Sequence, residues 1–337
     1  MLSPVFFWGI PMLGLTLLPF LGVGLLLMAL NNDDDDTVDT PDPDPSDDVV
    51  NGTEGDDILS AAGSETVNAG GGNDSLTATD TSDGVVLNGD DGRDDLRAGG
   101  NAPTLNGGEG NDSLYNDDAV DAVLNGDGGD DFFGLQTDQD LEANGGTGDD
   151  SFEVFIEGGD LRLNGGDGND DFYVGGEGGT IHGNAGDDVI YSESAGAEVF
   201  GDAGADDIGV RVVLDDGAAA AASTLSGGDG SDSFTIDLFD AAQPGATDAA
   251  DLGIVAHISD FDPQEDSLVL DLRETGSQVT TISTEPAEDG SYLDVTVEVA
   301  PSATASAQTF TVRMTGVTAL EADQIVIREP DPDPVAA

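Results

Sequence analysis

From residue 57 onward, apolar side chains recur in short bursts of period two, separated by glycine-rich turns. One set stands at the eighth position of a Gly-rich segment: Leu59, Leu76, Leu96, Leu114, Phe133, Phe152, Phe172, Ile190, Ile208 and Phe234. A second set stands two positions before the first glycine: Leu87, Leu105, Leu124, Leu163, Ile181, Val199 and Leu225. Alternation of this kind, bounded by Gly and Asp, predicts strands. Two short strands per period bury too little alone and gain a continuous core only by stacking on neighbouring turns. The predicted fold is all-β: a parallel β-roll, closed by a C-terminal antiparallel β cap and preceded by one hydrophobic N-terminal helix.

The turns share the form G-G-x-G-x-D-x-U-x, with U apolar. Clear copies are Gly107-Gly108-Glu-Gly110, Gly145-Gly146-Thr-Gly148, Gly165-Gly166-Asp-Gly168 and Gly227-Gly228-Asp-Gly230. The sixth-position acids are Asp57, Asp74, Asp94, Asp112, Asp131, Asp150, Asp170, Asp188, Asp206 and Asp232, at spacings of 17, 20, 18, 19, 19, 20, 18, 18 and 26. The period is therefore two nonapeptides. The second half of each has mostly lost its motif, as at Gly175–Thr180, where Thr stands in the place of Asp.

These residue types point to a hard cation. Calcium takes six to eight oxygens, mixing carboxylates with backbone carbonyls. Glycines at positions one, two and four let the turn aim its carbonyls inward, and the sixth-position Asp adds a carboxylate. One loop supplies too few oxygens. A second loop, stacked about 4.8 Å along the axis, can complete the shell. Ten loops then offer at most nine gaps. The formal charge is −64, from 71 acidic residues against seven Lys plus Arg, all of them Arg. Nine calcium ions would bring 18 positive charges and leave −46, so folding and binding are expected to be one event.

Residues 52–234 resemble the repeats-in-toxin (RTX) calcium-binding nonapeptides. The resemblance implies a β-roll with calcium in its loops and, commonly, one-step secretion. Two departures stand out: here the motif lies mainly on one side of the roll, and a hydrophobic N-terminal segment is present. Ile258-Ser259-Asp260-Phe261, followed by Asp266-Ser267-Leu268, is similar to the closing segment of serralysin-type proteins. Asp260 and Asp266 read as a charged turn, with a further ion site as the alternative.

Residues 5–30 are uncharged and long enough to span a bilayer. They read as an anchor in preference to a cleaved signal peptide, because no Lys or Arg precedes them and no good cleavage site follows. Residues 31–50 form an acidic, Pro-rich spacer. The expected organisation is anchor 1–30, spacer 31–50, roll 51–235, β cap 236–330 and a disordered tail 331–337.

The acidity excludes nucleic acid as a partner, and the absence of Cys excludes disulfides and thiolate sites. His182 and His257 are the only histidines, and no H-E-x-x-H occurs, so no catalytic site is expected. The expected function is calcium binding by an extracytoplasmic structural or surface module, secreted or membrane-tethered. A calcium-dependent adhesin with a protein or glycan partner and a carbohydrate-active β-helix enzyme are the alternatives.

Overall fold

The computed structural model describes residues 49–329 except 64, 79–82, 118, 215–220, 241–249, 274–277, 301–306 and 322–323. The expected anchor, nearly all of the spacer and the tail lie outside the described residues. Among the described residues, no helix is long and apolar enough to cross a membrane.

The architecture is the expected all-β solenoid of parallel stacked turns with antiparallel strands at its C-terminal end. Each turn contributes one strand that enters a Gly-Asp loop and one that leaves it. Leu141–Thr147 and Leu161–Asp167 belong to the first kind and join a sheet of 15 strands; Ser151–Ile156 and Asp171–Gly176 belong to the second and join a sheet of 12. Apolar residues of one kind sit above each other. On one sheet the register runs Leu124, Ala143, Leu163, Ile181, Val199, Leu225. On the other it runs Phe133, Phe152, Phe172, Ile190, Ile208, Phe234. All twelve are buried. The unequal spacing along the chain is absorbed between strands, so the 26 residues from Asp206 to Asp232 still return Phe234 to Ile208. A one-residue slip would turn every buried side chain outward, which is why the register is kept and the connections vary.

At the centre of the roll three phenyl rings stack face to face. Phe133 to Phe152 and Phe152 to Phe172 lie 4.4 and 4.5 Å apart, each pair 6° from parallel.

Parallel stacking does not stop at residue 235. Ala250–Ile258 pairs parallel with Ser223–Asp229, and Gln308–Thr315 pairs parallel with Ala250–Ile258. On the other sheet Ser267–Asp271 and then Ile325–Arg328 continue the stack. Among the described strands, Tyr292–Val299 pairs antiparallel with Val279–Pro286 on one side and with Gln308–Thr315 on the other, within the 15-stranded sheet. The boundary expected between 235 and 236 therefore falls inside the strand Ser233–Asp240. The sequence hides this continuation because the Gly-Asp turns end while the strand alternation does not. Val295, Val297, Phe310, Val312 and Met314 are fully buried and carry the core to the end of the fold.

Phe152 is stacked on both faces and 1% exposed, whereas Phe155 on the outer face is 49% exposed. Phe152→Ala is expected to cost about 3–5 kcal/mol and Phe155→Ala about 1 kcal/mol or less, read from urea midpoints. Equal losses would mean that the ring stack is not a core.

Candidate metal centre

The loop backbone explains the glycines. Gly146 and Gly148 hold φ of 119° and 126°, a region that side-chain-bearing residues avoid. A Cβ on either would fall on the carbonyl oxygen of the preceding turn, Asp127 or Gly129. The same contact recurs at Gly108, Gly166 and Gly228 in the second position and at Gly110, Gly168 and Gly230 in the fourth. From the Asp74 loop onward, where the second position is not glycine it is Asp90, Asp127, Asn184 or Asp202, with φ between 70° and 77°. Asp and Asn are the residues that best tolerate this conformation. At the first position, a Cβ on Gly107, Gly145, Gly165 or Gly227 would strike Oδ2 of its own loop's Asp112, Asp150, Asp170 or Asp232. At Gly107, Gly145 and Gly165 it would also meet the carbonyl oxygen of the next turn's first glycine. At these positions only glycine leaves room for the oxygens; the Asp74 loop has Ala69 in the first place.

The sixth-position acids form one ladder. Oδ1 of each accepts the backbone N–H of its counterpart one turn earlier. Asp74 N donates to Asp94 at 2.7 Å, Asp131 N to Asp150 at 2.8 Å, and Asp206 N to Asp232 at 3.0 Å. Asp94, Asp112, Asp150, Asp170 and Asp188 repeat the bond at 2.7 to 2.9 Å. From Asp74 to Asp232 none of these residues is more than 3% exposed. In eight loops, those of Asp74, Asp94, Asp112, Asp131, Asp150, Asp170, Asp188 and Asp206, the other oxygen, Oδ2, is buried without a hydrogen-bond partner.

Such an atom costs free energy unless a proton or a cation meets it. Burial is the main cause of raised carboxyl pKa values, partly offset by the N–H bond to Oδ1. Asp74, Asp94, Asp112, Asp170 and Asp206 reach about 6, Asp131 and Asp188 about 7, and Asp150 about 8. The neighbouring charges of Asp131 and Asp170 add to the shift of Asp150.

The two ends differ from the middle. Asp57 is half-buried, and its Oδ2 accepts from Thr53 N at 2.6 Å and Thr53 Oγ1 at 2.9 Å. Beyond Asp232 the ladder gains a rung, because Asp232 N donates to Asp266 Oδ1 at 2.9 Å. Asp266 is thus in line with the sixth-position acids, which a charged turn would not require. Its signal in the sequence is the interval of two residues to the buried Leu268, shared with every other rung. Asp260 instead takes the N–H groups of Gly227 and Gly228 at 3.1 and 3.0 Å.

Just before each loop an asparagine ladder runs from Asn51 to Asn164, each Nδ2 donating to the Oδ1 one turn earlier at 2.7 to 3.0 Å. His182 takes the next place in register, stacks on Phe200 at 4.5 Å, and pairs through Nδ1 with Asp202 at 2.8 Å.

Among the described residues, no three or more His, Asp or Glu side chains gather as a metal-holding group. A cation in these loops would therefore draw most of its oxygens from backbone carbonyls, with one carboxylate per loop. Hard oxygen donors of this kind suit calcium. No protein-family model matches the chain, and no curated protein matches it. One solved structure similar to it is the solution structure of the AlgE6R3 subunit from the Azotobacter vinelandii mannuronan C5-epimerase. It is 25% identical with a TM-score of 0.31, over 48% of this chain and 83% of that one.

The raised pKa values fix a pH dependence. Without cations the folded roll holds protons that the unfolded chain releases above its ordinary carboxyl pKa of 3.8. The stabilisation is full below that value and is lost as pH rises through 6 to 8. Far-UV circular dichroism of the cation-free protein should show more β structure at pH 5 than at pH 8. A β signal that grows with pH would contradict the buried ladder.

Proposed function

We propose that the loops bind calcium and that binding folds the roll. The observation that carries this reading is the row of buried, unpartnered Oδ2 atoms beside glycines that leave room only for oxygens. A protonated ladder satisfies them in acid, and a divalent cation between turns satisfies them at neutral pH while offsetting part of the −64 charge. Magnesium fits less well, since it keeps its waters and demands octahedral geometry. The reading agrees with the RTX resemblance of the loop sequence. In it the module is structural, with no catalysis of its own.

Calcium titration of the metal-free chain at pH 7.5 is expected to convert it from largely disordered to β-rich, with dissociation constants of roughly 10⁻⁴ to 10⁻³ M. Asp131→Ala and Asp150→Ala, in the middle of the ladder, should lower the calcium-induced melting temperature more than Asp57→Ala, whose carboxylate already has Thr53 as partner. A β signal indifferent to chelation, or equal losses in all three variants, would sink the stacked-ion reading.

Sites of that strength stay mostly empty at cytosolic calcium and fill at millimolar levels outside. We place the roll outside the cytoplasm, tethered by residues 5–30 or released. Protease added to intact cells or spheroplasts should digest the roll once calcium is chelated. Protection until lysis would put it in the cytoplasm.

A further inference from the structure

The outer face of the 12-stranded sheet changes character in its last turns. Across four neighbouring strands one row reads Arg211, Asp237, Asp271, Arg328. The row two residues earlier begins with aromatic side chains and then drops to small ones: Tyr173, Tyr191, Gly209, Thr235. Where bulk falls from Tyr191 to Gly209 a recess of about 480 Å³ opens. Gly209 and Thr235 line it beside the Tyr191 ring, which stacks on Tyr173 at 5.7 Å. Arg211 Nε donates to Tyr191 Oη at 2.9 Å and to Asp237 at 3.1 Å. Asp271 accepts from Arg273 at 2.6 Å and lies 3.7 Å from Arg328.

The charge balance of this lining is unlike that of the chain. Asp207, Asp237 and Asp271 line the recess with Arg211, Arg273 and Arg328, and Glu193 pairs with Arg211 beside it, so four carboxylates meet three guanidinium groups and the site is close to balance on a chain of −64. Three of the seven cationic side chains of the whole sequence meet here. An anion would gain nothing from a site whose guanidinium groups are already matched by carboxylates, and it would be repelled on approach. A metal cation would have to displace guanidinium groups from the carboxylates. A purely apolar ligand would strip water from six ionised groups and return no hydrogen bonds. What remains is a neutral ligand rich in hydroxyls with one apolar face.

We propose that this recess binds a neutral saccharide, with a sugar ring beside Tyr191 and its hydroxyls shared between the guanidinium groups of Arg273 and Arg328 and the Asp237 and Asp271 carboxylates. Planar guanidinium and carboxylate groups offer paired donors and paired acceptors that match vicinal hydroxyls, and the Tyr191 ring, held between Tyr173 and the Arg211 guanidinium 5.5 Å from its centroid, turns an apolar edge to the recess. The volume lies within the usual range for small-ligand sites. The Arg273 and Arg328 side chains are 63% and 42% exposed, so they reach a ligand from solvent. This inference goes beyond the calcium reading, because the charged groups that would hold the ligand, Arg273, Arg328, Asp237 and Asp271, stand outside the Gly-Asp nonapeptides.

The test is calorimetric titration of the full chain in millimolar calcium, with folding confirmed by circular dichroism. The probes are cellohexaose and mannohexaose as neutral ligands and hexagalacturonate as the anionic one. At least one neutral probe should bind. Arg273→Ala/Arg328→Ala should weaken it about tenfold or more, as the loss of charge-assisted hydrogen bonds implies, with the β signal unchanged. Arg162→Ala, an exposed arginine elsewhere on the roll, should bind as the parent does. If the double variant does not fold, Arg273→Ala alone serves, since its side chain is mostly in solvent. No binding of either neutral probe, undiminished binding by the arginine variant, or tighter binding of hexagalacturonate would overturn the proposal.

Discussion

Everything in this molecule depends on a column of buried carboxylates. A row of aspartates from Asp74 to Asp232, one turn apart, would be intolerable as bare anions in a protein interior. The fold makes it tolerable by dividing each carboxylate between two tasks. Oδ1 closes a hydrogen bond to the turn before, which fixes the pitch of the solenoid. Oδ2 is left for a proton or a cation, which fixes the conditions under which the solenoid exists. The second task is the expensive one. The pKa of Asp150, about 8 in the folded chain, means that near neutral pH the fold must either hold protons the solvent would take or find other positive charge.

The glycines follow from this column. A side chain on Gly145 would occupy the space that Asp150 Oδ2 and the Gly165 carbonyl share, and a side chain on Gly148 would displace the Gly129 carbonyl. The hydrophobic core is constrained by the same repeat. From the second loop on, each is entered from a buried Leu, Ile, Val or Ala and left toward a buried Phe, Ile or Leu, so a turn that closes its loop correctly also sets its core residues in register. Loop geometry and core packing therefore agree at every turn, the kind of consistency between levels that makes a sequence fold to one structure.

Most of the roll was legible in the sequence, because a fixed interval between a glycine turn, an acid and an apolar residue is a geometric statement repeated ten times. The positions of Phe133, Phe152 and Phe172 and the parallel stacking followed from it. What the motif did not carry was harder to read. Asp266 lacks the glycines before it, yet the spacing Asp-Ser-Leu puts it on the ladder. The strands after residue 235 alternate like any antiparallel strand, and nothing local distinguishes Ala250–Ile258, which stacks parallel on the roll, from Tyr292–Val299, which does not. The orphaned Oδ2 atoms were also invisible, since partner loss is a property of the packed turn and not of the nonapeptide.

The same logic explains why the arginines fall where they do. Arginine is the one internal source of positive charge in this chain, and each copy can neutralise only the carboxylates within its reach. Spread along the loops, seven guanidinium groups would leave most of the ladder unmet, and their bulk would fill the space that only glycine leaves for oxygen. Arg211, Arg273 and Arg328 stand instead on the outer face of the last turns, beside Asp237 and Asp271, which sheet packing buries outside the Gly-Asp turns. Neutralisation there comes from side chains held in a row by strand register. On the calcium reading the molecule uses two solutions to one electrostatic problem: an exchangeable one along the ladder, which would tie folding to the medium, and a built-in one at the end of the stack, which does not.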